Sequence, residues 1–210
     1  MSTYPIFENK KKQTLVFYAC AKNANSSAKL FFAKHLGIEN KFFFIEDKIP
    51  KYKTKESLNL IKNYDGKKNL INIWPNHQKF EKVKSNFKCC IIRNPHERFI
   101  SAYKNRVLFH KDKKFNNYTI DMILNELEKN NFHNKHFLPQ SYYLGYDLSY
   151  YSLSVDLKKI NLFTNYINDF FEKKIEFPKL QTGGQHFNIE LSTIQKTRIE
   201  KIYQKDFEFF

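Results

Sequence analysis

Two short polar stretches hold residues whose types and spacing could bind a phosphate-like group. The first, Cys20-Ala-Lys-Asn-Ala-Asn-Ser-Ser-Ala-Lys29, gathers Lys22, Asn23, Asn25, Ser26, Ser27 and Lys29. Backbone amides, hydroxyls and ammonium groups in such a loop can wrap an anion. It is not a Walker A loop, because GxxxxGK(S/T) is absent and the stretch contains no glycine. The same residues also suit a plainer use, with Ser26 or Ser27 capping a helix and the lysines in solvent. The second stretch, Ile91-Ile-Arg-Asn-Pro-His-Glu-Arg-Phe-Ile-Ser-Ala-Tyr103, sets Arg93 directly after an apolar run, with Arg98 and Ser101 beyond it. Arg93 and Ser101 could converge on one phosphate, the guanidinium making a bidentate contact. The plainer use here leaves Glu97 and Arg98 on the surface and Ser101 in packing.

The elements that must position these residues are legible around them. Thr14-Leu-Val-Phe-Tyr18 is short, apolar and rich in strand formers, and Ala28 to Leu36 has helical spacing that stops at Gly37, so the first stretch joins a strand to a helix. Phe87-Lys-Cys-Cys-Ile-Ile92 reads as a buried strand, and Pro95 stands where the first turn of a helix accepts proline, with that helix running through Tyr103. Lys41 to Ile45 and Leu70 to Ile73 are further strand candidates. Residues 55–64, 78–84, 119–130, 161–172 and 192–205 are predicted helices. Strands alternating with helices imply an α/β sandwich around a mainly parallel sheet. In such a sheet ligands bind beyond the carboxyl ends of the strands, where helix N-termini point N–H groups outward, and both polar stretches fall at such ends.

The 210 residues suffice for one domain with a real core, and no Pro/Gly/Ser-rich stretch divides them, so a single domain over 1–210 is expected. Hydrophobic residues make up 41%, with 22 Phe, which excludes a disordered chain. Lys and Arg number 36 against 21 Asp and Glu, a net charge of +15 that favours an anionic partner such as a nucleotide, an acidic glycan, a nucleic acid or a membrane surface. The opening MSTYPIFENKKKQ carries no long apolar stretch, so the expectation is a soluble, cytoplasmic protein with no membrane span. Cys20, Cys89 and Cys90 are odd in number and lack metal-ligand spacing, so they read as reduced, buried thiols, and no metal is expected.

The second stretch resembles the 3′-phosphate motif of sulfotransferases that use 3′-phosphoadenosine 5′-phosphosulfate (PAPS), written R-(D/N)-P-x-x-R-x-x-S-x-Y. Arg93, Asn94, Pro95, Arg98, Ser101 and Tyr103 match it throughout. The first is similar to their 5′-phosphosulfate loop, with Lys22, Ser26 and Lys29 on its lysine, hydroxyl and last basic positions, Ala21 replacing the usual proline and Ala28 the usual tryptophan. His136-Phe-Leu-Pro-Gln140 is similar to the family's H-(W/F)-x-P-Q segment and Tyr203-Gln-Lys-Asp-Phe207 to its closing Y-x-x-D-F helix, so the resemblance spans roughly residues 14 to 210. The chain resembles in particular the carbohydrate branch, sulfotransferase family 2.

This resemblance implies a P-loop-NTPase-like three-layer sandwich and in-line transfer of a sulfuryl group from PAPS to a hydroxyl of a carbohydrate-like acceptor, leaving adenosine 3′,5′-bisphosphate, without a metal. Lys22 and Lys29 would neutralise charge at the 5′-phosphosulfate, Ser26 and Ser27 would position it with Asn23 and Asn25 beside them, and Arg93, Arg98 and Ser101 would hold the 3′-phosphate. The acceptor-side base would be His77, since some 2-O-sulfotransferases of the family carry their catalytic histidine in this region, or else His136; an imidazole titrating near neutrality suits the task. Two other readings compete. A P-loop-like nucleotide phosphotransferase lacks the Walker glycines and an evident magnesium-binding acidic motif. A basic nucleic-acid-binding protein would use Tyr142-Tyr143 and Tyr150-Tyr151 for stacking, yet most Phe fall in strand-like or helix-like runs that read as core, so no nucleic acid is expected.

Overall fold

The runs Thr14–Tyr18 and Phe87–Ile92 are apolar with little alternation, the pattern of strands covered on both faces. They form the centre of the sheet. The computed structural model describes residues 6–37, 43–46, 49–52, 79–179 and 187–210. Its four-stranded sheet has the order β1 (Ile6–Glu8), β2 (Thr14–Tyr18), β5 (Phe87–Ile92), β6 (Leu153–Asp156). β1 is antiparallel to β2, whereas β2, β5 and β6 run parallel, with Tyr18 opposite Cys90 and Ile92 opposite Asp156. The carboxyl ends of β2, β5 and β6 therefore lie at one edge. β3 (Phe43–Glu46) and β4 (Ile49–Tyr52) pair separately as an antiparallel ribbon.

Because side chains alternate along a strand, β2 and β5 each feed two cores. Leu15, Phe17, Cys89 and Ile91 face α1 (Asn25–His35) and α5 (Ile160–Phe171), meeting Phe31, Phe32, Phe163 and Ile167. Val16, Tyr18, Cys90 and Ile92 face the other way, onto Val83, Tyr151 and the Tyr143 and Leu144 of α4 (Gln140–Leu144). A third cluster joins α2 (Pro95–Tyr103), α3 (Ile120–Glu128) and α6 (Thr193–Ile202) through Phe99, Ile123, Leu124 and Ile199. Each fully buried Phe or Leu stabilises the fold by roughly 1.5–3 kcal/mol, so the sheet is held from both sides and its end is buttressed by helices. This is the expected α/β sandwich with a mainly parallel sheet. Among the described residues no helix is long and apolar enough to cross a membrane.

Two helix expectations are corrected. Residues 79–84 of the predicted 78–84 helix form none. Their backbone groups are taken by distant partners: Phe80 N–H donates to the Tyr142 carbonyl (2.8 Å), Val83 N–H to the Tyr150 hydroxyl (2.8 Å), and the Tyr18 hydroxyl to the Glu81 carbonyl (3.0 Å). These bonds replace the i−4 bonds of a helix while Val83 is buried. The predicted 192–205 helix breaks at Tyr203 into α6 and the short α7 (Gln204–Phe207). Tyr203 donates its hydroxyl to the Phe137 carbonyl at 2.6 Å, and the break turns Asp206 inward. The predicted 55–64 helix and 70–73 strand lie outside the described residues.

His35 closes α1 at 8% exposure, stacked on Phe171 (4.8 Å, 20°) and edge-on to Phe31. Neither ring nitrogen has a hydrogen-bond partner among the described residues. Burial, with some repulsion from Lys173, lowers its pKa to about 4, against slight opposition from nearby Asn168. The unfolded chain therefore binds a proton from about pH 6.5 downward that the folded chain refuses until about pH 4, so stability falls as pH drops through that window, by up to about 3 kcal/mol. Urea titrations at several pH values on the wild type and His35→Phe should show this acid loss reduced in the variant; parallel losses would assign the acid sensitivity elsewhere.

Candidate functional site

Between β2 and α1 the chain turns through two non-glycine residues in the left-handed region, Lys22 (φ 70) and Ala24 (φ 55). Each conformation costs about 1 kcal/mol or more, so the loop must be held by its surroundings. Asn23, 1% exposed, donates its side-chain NH2 to the Ile91 carbonyl (2.7 Å) and to Gln140 Oε1 (2.6 Å). Arg98 Nε donates to the Ala21 carbonyl (3.0 Å), and Arg93 Nη1 to the Lys22 carbonyl (3.1 Å). The loop is thus pinned at three successive residues. α1 starts at Asn25 with no side-chain cap, so Ser26 and Ser27 lie within its first turn instead of capping it. Such a helix start favours an anion. Asn25 opens the helix with its side-chain oxygen buried and without a hydrogen bond among the described residues.

The second junction is built from the end of β5. The Asn94 side chain accepts from His96 N–H (3.0 Å) and Glu97 N–H (3.4 Å), and Pro95 occupies the first helical position, so α2 starts directly after Arg93. Arg93 is half-buried; its Nε has no hydrogen bond among the described residues and lies 3.9 Å from Glu97 Oε2. Ser101 is half-buried on α2, one turn beyond Arg98.

Arg98 and Asn23, both expected at the ligand, are buried and direct donors at the protein itself. Arg98 is 2% exposed, and besides Ala21 it serves the Leu138 carbonyl (2.7 Å) and the His136 carbonyl (3.4 Å). It braces the first loop against residues 136–138. The amide donors of Asn23 are likewise spent inward. Both residues shape the site from beneath.

Lys22 and Lys29 carry the electrostatic signature. Burial, followed by the charges of Arg93, Arg106 and Arg98, lowers Lys22 to about 8, and burial lowers Lys29 to about 7. Lys22 has no ion pair among the described residues. A nearby anion would favour the charged form of a lysine destabilised in this way.

Of the two base candidates, His77 lies outside the described residues. His136 Nδ1 lies 2.7 Å from Asn134 Oδ1, which can only accept, so Nδ1 carries the proton and Nε2 is the basic nitrogen. Asn134 donates in turn to Asp112 Oδ2 (2.9 Å), a carboxylate paired with Arg106 (2.6 Å). Arg106 belongs to the π-helical turn Lys104–Phe109 that continues α2, and its charge reaches Lys22. Sequence reasoning missed Arg106, Asn134, Gln140 and Asp206. Gln140 and Asp206 stood inside segments noted for their likeness to a family, without a role.

No group of His, Cys, Asp and Glu among the described residues could hold a metal. A family model described as the sulfotransferase family matches residues 7–210. No curated protein and no solved structure matches the chain.

Proposed function

Because the chain belongs to the sulfotransferase family, we propose that it moves the sulfuryl group of PAPS onto a hydroxyl of a carbohydrate acceptor by in-line displacement, as a single domain. Sulfuryl transfer is the activity of the family; the donor, the acceptor class and the residue roles are this proposal. The observation that carries it is the meeting of the two junctions, where Arg93 reaches the Lys22 carbonyl at 3.1 Å beside ammonium groups of lowered pKa.

PAPS supplies the sulfuryl group already attached to a phosphate leaving group. Lys22, Lys29, Ser26, Ser27 and the start of α1 would hold the 5′ end, and Lys22 would offset charge growing on the departing phosphate. Arg93 and Ser101 would hold the 3′-phosphate; the Arg93 Nε has no hydrogen-bond acceptor among the described residues. His136 would take the acceptor proton on Nε2, with His77 the other candidate. The net charge of +15 supports an acceptor that carries negative groups.

Thermal unfolding with adenosine 3′,5′-bisphosphate tests the reading. At a hundredfold excess over Kd the ligand should add about 2.7 kcal/mol of stability. Adenosine 5′-monophosphate and ATP with magnesium should give far smaller rises, and Arg93→Ala should abolish the effect. No rise at millimolar bisphosphate would sink the donor assignment; a rise with ATP and magnesium alone would redirect it to phosphoryl transfer.

A further inference from the structure

Gln140 is 0% exposed at the start of α4, and its amide is bonded on both sides. Oε1 accepts from the Arg93 N–H (2.9 Å) and from Asn23 Nδ2 (2.6 Å), while Nε2 donates to the Arg93 carbonyl (2.8 Å). One side chain therefore pairs with the main chain of Arg93 as a neighbouring strand would, and also grips the residue between Lys22 and Ala24. The orientation of Asn23 is fixed as well, because its NH2 faces two acceptors, Gln140 Oε1 and the Ile91 carbonyl.

Gln140 is itself locked. Asp206 of α7, also 0% exposed, accepts from Gln140 N–H (2.6 Å) and Ser141 N–H (2.8 Å) at the start of α4. The buried carboxylate is answered by the Arg98 guanidinium, whose other contacts brace the first loop at Ala21. The two junctions, separated by β5 and the crossover, thus meet on one amide held by one carboxylate.

We propose that Gln140 is a positioning residue that sets the spacing between the 5′ and 3′ phosphate subsites, and that Asp206 locks it. This rests on the donor reading above. A ligand with a phosphate at each end of one nucleoside gains affinity only when both subsites are in register, whereas a monophosphate engages one subsite and tolerates a shift.

The test is titration of the full chain with adenosine 3′,5′-bisphosphate, adenosine 3′-monophosphate and adenosine 5′-monophosphate, carried into the millimolar range, for wild type and Gln140→Leu. The expected result is a bisphosphate affinity at least about tenfold weaker, with each monophosphate changed by less than about threefold. If Gln140→Leu does not fold, Asp206→Asn, which keeps size and shape, should give the same pattern more weakly. A variant with a lower Tm but unchanged bisphosphate affinity, or one that loses all ligands equally, overturns the proposal and leaves the donor reading standing. Failure of the wild type to bind the bisphosphate overturns the donor reading instead.

Discussion

Lys22→Ala is expected to lower kcat about a hundred- to a thousandfold, the loss typical when one preorganised donor to developing charge is removed. The affinity for adenosine 3′,5′-bisphosphate should fall far less, because Lys29, the start of α1 and Arg93 remain. The split follows from where Lys22 sits. It is held in a left-handed conformation with its carbonyl tied to Arg93, and burial beside three guanidinium groups lowers it to about 8. An anion favours the charged form, so binding draws a proton onto Lys22 and Lys29. The bisphosphate should accordingly bind more weakly as pH rises through about 7 and about 8. Single-turnover rates and titrations between pH 6 and 9 check both parts. Equal losses in kcat and in bisphosphate affinity would make Lys22 a simple binding group.

Arg98→Leu is expected to be the most destabilising single change in the site, costing about 3–5 kcal/mol, the range for breaking a buried charge network from one side. Arg98 donates to the carbonyls of Ala21, Leu138 and His136 and answers the buried Asp206. Its loss leaves buried carbonyls unbonded and a carboxylate without a cation. Arg98→Lys should recover little, since one ammonium cannot span acceptors on two segments as the planar fork does. Urea unfolding reads the loss directly. A stable Arg98→Lys protein that fails only to bind the bisphosphate would return Arg98 to the role of ligand.

The contrast between these residues shows how much was readable. Lys22 and Arg93 could be chosen because each stands at the carboxyl end of a strand whose both-face burial is written in its composition. β2, β5 and α2 have the predicted bounds for the same reason, and because Asn94 and Pro95 are local start signals. Asn23 was chosen from the polar loop and Arg98 from the motif, yet both turn inward, since whether a polar side chain faces a ligand or a carbonyl depends on distant chain. The Gln140 amide meets Arg93 across 47 residues and its N–H meets Asp206 across 66, and no local pattern encodes such pairs. Residues 79–84 fail as a helix for a similar cause, because tyrosines from β2 and from the segment before β6 take their backbone groups. β6, Leu-Ser-Val-Asp, has one buried residue and too little apolar signal to be noticed.

Cys89 and Cys90 are adjacent in β5 but back onto opposite cores, one against α1 and α5 and the other against α4. Burial raises both thiols far above the ordinary range and Cys20 to about 12. The thiolate is the form that oxidants attack, and a bond between the neighbours would require one of them to leave its core. Thiol chemistry is thereby shut out of a fold whose work is to handle sulfur in another form: the redox poise of the surroundings should not reach these three cysteines until the packing around the sheet comes apart.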